Sequence, residues 1–198
     1  MTKKIMFSDR FGLTAAVLSG KKTMTRRVIT NKNALDSLYE QEYMKQLCID
    51  YSFLEKYSRY QIGEVIAIAQ SYKDLGFSGN EVYRDPKTNE SKGNLLNSPA
   101  WNNKMFVRAE ACKHHIRITN IRIERLQDIT DEDCLREGIL KREIRPFNTI
   151  EIKYQVPLTT IYKDTPREAF ANLIDKVSKK GTWNSNSFVF VYEFELVD

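Results

Sequence analysis

The chain has 198 residues, 41% of them hydrophobic and 29% charged, with only eight glycines and five prolines. That balance leaves room for one core and excludes collagen-like, low-complexity and disordered classes. Lys plus Arg number 31 against 26 Asp plus Glu, a formal charge of +5, which favours an anionic partner only where the excess is locally concentrated.

In chain order, residues 3 to 7 read as a short strand. Ser8 or Asp9 then caps a helix carrying Phe11, Leu13, Val17 and Leu18 and ended by Gly20. Residues 31 to 57 place Leu35, Leu38, Tyr39, Tyr43, Leu47 and Leu54 at helical spacing, which predicts one or two amphipathic helices. The β-rich run from Ile62 to Ala69 predicts a core strand, and residues 73 to 104 a long loop with turns. His115 to Leu126 alternates with Ile116, Ile118, Ile121 and Ile123 inward, and the change of phase at Thr119-Asn120 predicts a bulge or bend. Thr130 caps a helix ending at Gly138, Thr165-Pro-Arg-Glu168 is a capping box for a helix ending near Gly181, and Phe188 to Leu196 is a closing strand. Strands with interposed helices in no regular alternation predict an α+β chain with a small mixed sheet or barrel.

No apolar run reaches the roughly 20 residues of a membrane-spanning helix. Asp9 and Arg10 also interrupt the N-terminus before a signal-peptide core develops, so a cytoplasmic protein with no membrane partner is expected. Cys48, Cys112 and Cys134 are far apart and odd in number, which points to reduced, mostly buried thiols and away from a disulfide framework or a cysteine zinc site. Adjacent His114 and His115 lack a third ligand at a usable spacing, so neither a metal nor another cofactor is expected. Dinucleotide, P-loop, nucleophile-elbow and zinc-protease patterns are absent.

The densest chemical signal is Gly20-Lys-Lys-Thr-Met-Thr-Arg-Arg27, with four cations, two hydroxyls and no acid in eight residues. Such a segment suits a phosphate or carboxylate ligand, with a solvated basic turn as the lesser alternative. A second cationic set, Lys113, His114, His115, Arg117, Arg122 and Arg125, lies in the strand-rich middle, with Arg117 alternating out to solvent. Glu137 stands in the last turn before Gly138, where the helix dipole disfavours an anion, so a tertiary partner such as a lysine is expected.

The segments 20 to 27, Tyr60-Gln-Ile-Gly-Glu-Val-Ile-Ala-Ile, Asn103-Lys-Met-Phe-Val, Ile116 to Gly138 and Trp183 to Phe194 together resemble ASCH-domain proteins of the PUA-like superfamily, in their longer bacterial and phage-associated form. The resemblance spans most of the chain. It implies a single domain over 1–198, a PUA-like small β-barrel with flanking helices, and insertions at 28–58, 73–100 and 140–163. It further implies a cleft for RNA or a nucleotide. Some small ASCH-like enzymes remove an acyl group from N4-acylated cytidine with a lysine, a threonine and a glutamate, which correspond here to Lys22, Thr25 and Glu137; Arg27 matches the arginine closing the motif. The Ala69-Gln70 pair departs from the charged pair of longer relatives.

Two readings follow. In the first, an RNA- or nucleotide-binding module uses Lys21, Lys22, Thr23, Arg26 and Arg27, with Arg117 nearby and Tyr72 or Trp101 stacking a base. In the second, an amidohydrolase acting on a modified nucleoside uses Thr25 as nucleophile, Lys22 as base and Glu137 to orient it. A phage-associated interaction protein with an aromatic surface is a further reading, and a nuclease has little support for want of a carboxylate cluster in the sequence.

Overall fold

The computed structural model describes residues 2–44, 50–84, 88–146 and 149–197. Leu47 and Cys48, expected as a helix residue and a buried thiol, lie outside them. Among the described residues no helix is long and apolar enough to cross a membrane. The chain is α+β with mixed strand pairing, and it divides into two compact units, Met1–Phe7, Val65–Ile116 and Leu196–Asp198 in the first, Ser8–Glu64 and Arg117–Glu195 in the second.

In the first unit β1 (Lys4–Ile5) runs parallel to β3 (Val65–Ile68), in the register Lys4 to Ala67 and Ile5 to Ile68. Ile66, Ala67 and Ile68 are fully buried, as a continuous apolar run in a doubly covered strand requires. The 73–104 stretch, expected as loop, contains a small hairpin of β4 (Val82–Arg84) and β5 (Ser91–Asn94), followed by short 3-10 turns. Its inner side packs Leu75, Ala100, Val107, Ala109 and Cys112 on Ala67. The ammonium of Lys4 donates to the carbonyls of Lys104 (3.0 Å), Met105 (2.7 Å) and Val107, pinning this turn to β1.

In the second unit the long strand β6 (His115–Arg125, all but its first two residues) neighbours β10 (Phe188–Leu196), which pairs antiparallel with β2 (Met24–Val28). β6 is unbroken, but its burial slips by one residue at the exposed Thr119-Asn120, so that Ile116 and Ile118 precede Ile121 and Ile123 on the buried side. The helices are α1 (Leu13–Leu18), α2 (Lys32–Tyr43), α3 (Tyr51–Tyr57), α4 (Asp131–Arg136), α5 (Pro166–Val177) and α6 (Thr182–Ser185). Asn31, Asp50, Thr130 and Thr165 each cap a helix by accepting from the backbone N–H three residues on. Residues 140 to 163 form a three-stranded antiparallel sheet, β7 (Leu140–Ile144), β8 (Glu151–Gln155) and β9 (Tyr162–Lys163). The strand ladders do not close into a barrel among the described residues.

Candidate functional site

The site lies within the second unit, where β2 meets the C-terminal end of α4. Gly20, in the left-handed region at φ +70, turns the chain out of α1, and the amides of Lys21 and Lys22 both donate to the carbonyl of Ala16. Lys22 is thereby directed inward ahead of β2. On the opposing element, Thr130 starts α4 and Glu137 caps its C-terminus. The Lys22 Nζ reaches Glu137 Oε2 at 2.5 Å and the Glu137 carbonyl at 2.7 Å, with only 2% and 5% of the two side chains exposed. One ammonium thus answers both the carboxylate and a C-terminal helix carbonyl, where a cation is favoured. Gly138 follows at φ +110, and a Cβ there would stand 3.2 Å from Leu13 Cδ2 and 3.8 Å from Lys22 Cδ. The glycine is required both for its backbone conformation and for the space Lys22 passes through.

Arg26 braces the pair from β2. Its guanidinium donates to Glu124 Oε1 (2.8 and 2.7 Å), Asp133 Oδ2 (2.8 Å) and Glu137 Oε1 (3.2 Å), with 1% of the side chain exposed. Arg122 bridges Asp133, Glu124 and Glu193, while Arg136 joins Glu193 at 2.7 Å. Lys22, Arg26, Arg122 and Arg136 therefore face Glu124, Asp133, Glu137 and Glu193, a charge-balanced group of the kind that tolerates burial because its members are mutually hydrogen-bonded. Although the sequence shows no carboxylate cluster, the fold assembles one from β6, α4 and β10, and each member is held by an arginine or lysine. Among the described residues no group of acids, histidines and cysteines has the geometry of a metal site.

Burial pulls the Lys22 amine below the ordinary lysine range; the charge and hydrogen bond of Glu137 oppose this, while Arg27 and Arg26 add to the lowering, and the net direction is down. For Arg26, burial acts downward but the charges of Glu137 and Glu124 outweigh it, so the guanidinium is a fixed cation. For Glu193, burial raises and hydrogen bonds from Arg136 and Asn120 lower, with a net downward shift that keeps it ionised.

Strand alternation sorts the rest of the motif. Register places Thr25 opposite Tyr192 and Arg27 opposite Phe190, so these four share one face of the β2–β10 pair, while Met24 and Arg26 share the other. Thr25 is 5% exposed. The structure thus joins Lys22 to Glu137 directly but shows no Thr25 contact with either. Around Tyr192, its hydroxyl lies 3.0 Å from Ser58 Oγ and its ring meets Tyr60 edge-on at 5.2 Å.

The remaining sequence candidates are dispersed. Lys21 is exposed, and Thr23 receives a hydrogen bond from Arg136 Nε at 3.3 Å. Arg26, expected to meet a ligand phosphate, is instead engaged by three carboxylates, which leaves no free donor edge for an outside anion. Arg117 is exposed and paired with Glu195 at 3.1 Å. Tyr72 belongs to the first unit, edge-on to Phe77 at 5.1 Å, as does Trp101. His114 accepts from the Ile68 amide through its carbonyl, and His115 opens β6. Sequence reasoning missed Glu124 and Glu193, and it gave Asp133 no role beyond favouring the dipole of the first helical turn. For Glu124 the signal is the alternation along β6 that puts it on the same side as Arg122. No protein-family model, curated protein or solved structure matches this chain.

Proposed function

We propose that the chain is an ASCH-like, PUA-related amidohydrolase that removes an acyl group from the exocyclic nitrogen of an N4-acylated cytidine-type nucleoside. The observation that carries this reading is the buried Lys22–Glu137 pair, whose amine is shifted toward its neutral form at the foot of the strand bearing Thr25. A titratable group perturbed by burial together with a specific charged partner is a candidate for proton transfer. The reading of the segment as a phosphate-binding edge has less support, because two of its four cations are sealed inside an ionic network.

In this mechanism the Thr25 Oγ attacks the amide carbonyl carbon while its proton passes to the Lys22 amine. Collapse of the tetrahedral intermediate breaks the C–N bond, and the Lys22 ammonium returns a proton to the departing N4. Water then attacks the threonine ester with Lys22 again as base, releasing the carboxylic acid and restoring Thr25. Glu137, fixed by Arg26, holds the amine in place and stabilises the transient ammonium. The nucleoside specificity rests on the resemblance of residues 20–27 and 116–138, as does the barrel. Acetate release from N4-acetylcytidine tests the reading: turnover should be abolished in Thr25→Val, and undiminished turnover in that variant would exclude the mechanism.

A further inference from the structure

Away from this site, one face of α5 and the turn into α6 border an open cleft of about 430 Å³ lined by Ala171, Asn172, Asp175, Lys176, Lys180 and Trp183. We propose that this cleft binds a nucleoside phosphate, either free or as a residue of single-stranded RNA, by stacking the base on Trp183 and contacting the phosphate with Lys176 and Lys180.

The aromatic platform is built in advance. Gly181, at φ +89, reverses the chain after α5. Asp175 then accepts from the Gly181 amide at 3.1 Å and the Trp183 amide at 2.8 Å, while Gln127 Nε2 donates to the Trp183 carbonyl at 2.9 Å. The indole is held edge-on to Phe170 at 6.2 Å and remains half-buried, which leaves part of the ring open to the cleft. A ring fixed in this way loses little freedom when a base stacks on it.

The lining carries two lysines against one aspartate. The Asp175 carboxylate is turned to the Gly181 and Trp183 amides, whereas Lys176 and Lys180 are exposed and form no ion pair among the described residues. Asn172 stands one turn before Lys176 with a single long hydrogen bond, 3.5 Å to the Glu168 carbonyl, so its amide offers a donor and an acceptor to a base edge. An acidic peptide would use the lysines but not the stacked indole, and a lipid surface would need a broad apolar face. The combination of ring, amide and two ammoniums fits a nucleotide.

The site is independent of the Lys22 chemistry and is tested separately, with a short fluorescein-labelled single-stranded RNA followed by anisotropy and AMP as competitor. Wild type should bind at low salt, and AMP should compete better than adenosine. A Lys176→Gln, Lys180→Gln double variant should bind at least tenfold more weakly, with a salt slope reduced by about 1.4 for two lost phosphate contacts and with unchanged melting temperature and acyl release. Trp183→Ala should weaken binding about 5- to 150-fold, as loss of one stacked base predicts, and Trp183→Phe should restore most of it, which separates stacking from a folding defect. AMP affinity equal to that of the RNA identifies a free nucleotide as the ligand, and tighter RNA binding identifies the strand. Absence of binding by wild type, or full binding by the double-lysine variant, overturns the proposal. RNA binding lost in Arg27→Ala but intact in the double-lysine variant would overturn it too, by moving the RNA to the basic motif.

Discussion

Replacing Glu137 by Gln keeps the shape of the side chain and removes its charge, which isolates the electrostatic role of the carboxylate. In the native protein Glu137 accepts from Lys22 at 2.5 Å and from Arg26 at 3.2 Å with 5% of its side chain exposed. The amide retains one acceptor oxygen but turns an NH2 group toward one of two buried cations. Removing one member of a buried pair and leaving its partner uncompensated costs about 3–5 kcal/mol. In a chain of this size each kcal/mol shifts the melting temperature by about 2–4 °C, so a fall of about 6–20 °C is expected. Lys22→Met should be milder, since Glu137 keeps Arg26. The Lys22→Met, Glu137→Gln double variant should be more stable than the sum of the single effects predicts, because the lysine left unpaired by the Gln is gone. Urea unfolding of the four proteins, with comparable m-values, provides the measurement. A loss below about 1 kcal/mol for Glu137→Gln, or strict additivity in the cycle, would refute the claim that this carboxylate holds Lys22 in place.

The depressed Lys22 amine has a pH consequence: between its folded value and 10.5 the unfolded chain holds a proton the folded chain has released, so this group makes stability rise with pH across that window. Lys22→Met should remove that rise, seen as a flatter urea midpoint between neutral pH and 10.5. Cys134 acts oppositely, because burial pushes its thiol up to about 12 and the folded chain keeps a proton the unfolded chain loses from 9.0 upward. At pH 9, peptide mapping after iodoacetamide should find Cys134 modified only once urea unfolds the protein. Gly138→Ala, at φ +110 and 3.2 Å from Leu13 Cδ2, should destabilise by about 1–3 kcal/mol in thermal melts. Arg125 lies 3.9 Å over the Phe188 ring and pairs with Glu42 of α2. Arg125→Ala should therefore lower stability by about 1–2 kcal/mol, with a smaller loss at high salt, which screens the exposed ion pair but not the stacking.

What the sequence makes legible is local. The caps Thr130 and Thr165, the helices within 31–57 and the phase change at Thr119-Asn120 all depend on neighbours in the chain, and each has a direct structural counterpart. The three-stranded sheet over 140–163 is only partly legible: Ile152, Tyr154 and Val156 alternate with polar residues along and just past β8, a period-2 signal the sequence reading passes over, whereas Lys141-Arg142-Glu143 of β7 shows no such alternation. In the site, Lys22 and Glu137 stand out, Glu137 because an anion in a last helical turn asks for a partner. The destination of Arg26 is not legible, because its three carboxylates come from residues about 100 positions away. Two of the four cations of a basic run thus become, after folding, members of a charge-balanced network. The exposed charge of a motif follows from tertiary pairing and cannot be counted from its letters.

The most direct test is acetate release from N4-acetylcytidine by wild type, Thr25→Val and Lys22→Met as pH is raised from neutrality toward 10.5. The account predicts turnover by wild type that rises as the Lys22 amine loses its proton and then levels off, and none by Thr25→Val or Lys22→Met in samples shown to be folded. Wild type inert toward N4-acylated cytidines across that range, or folded Lys22→Met as active as wild type, would contradict it.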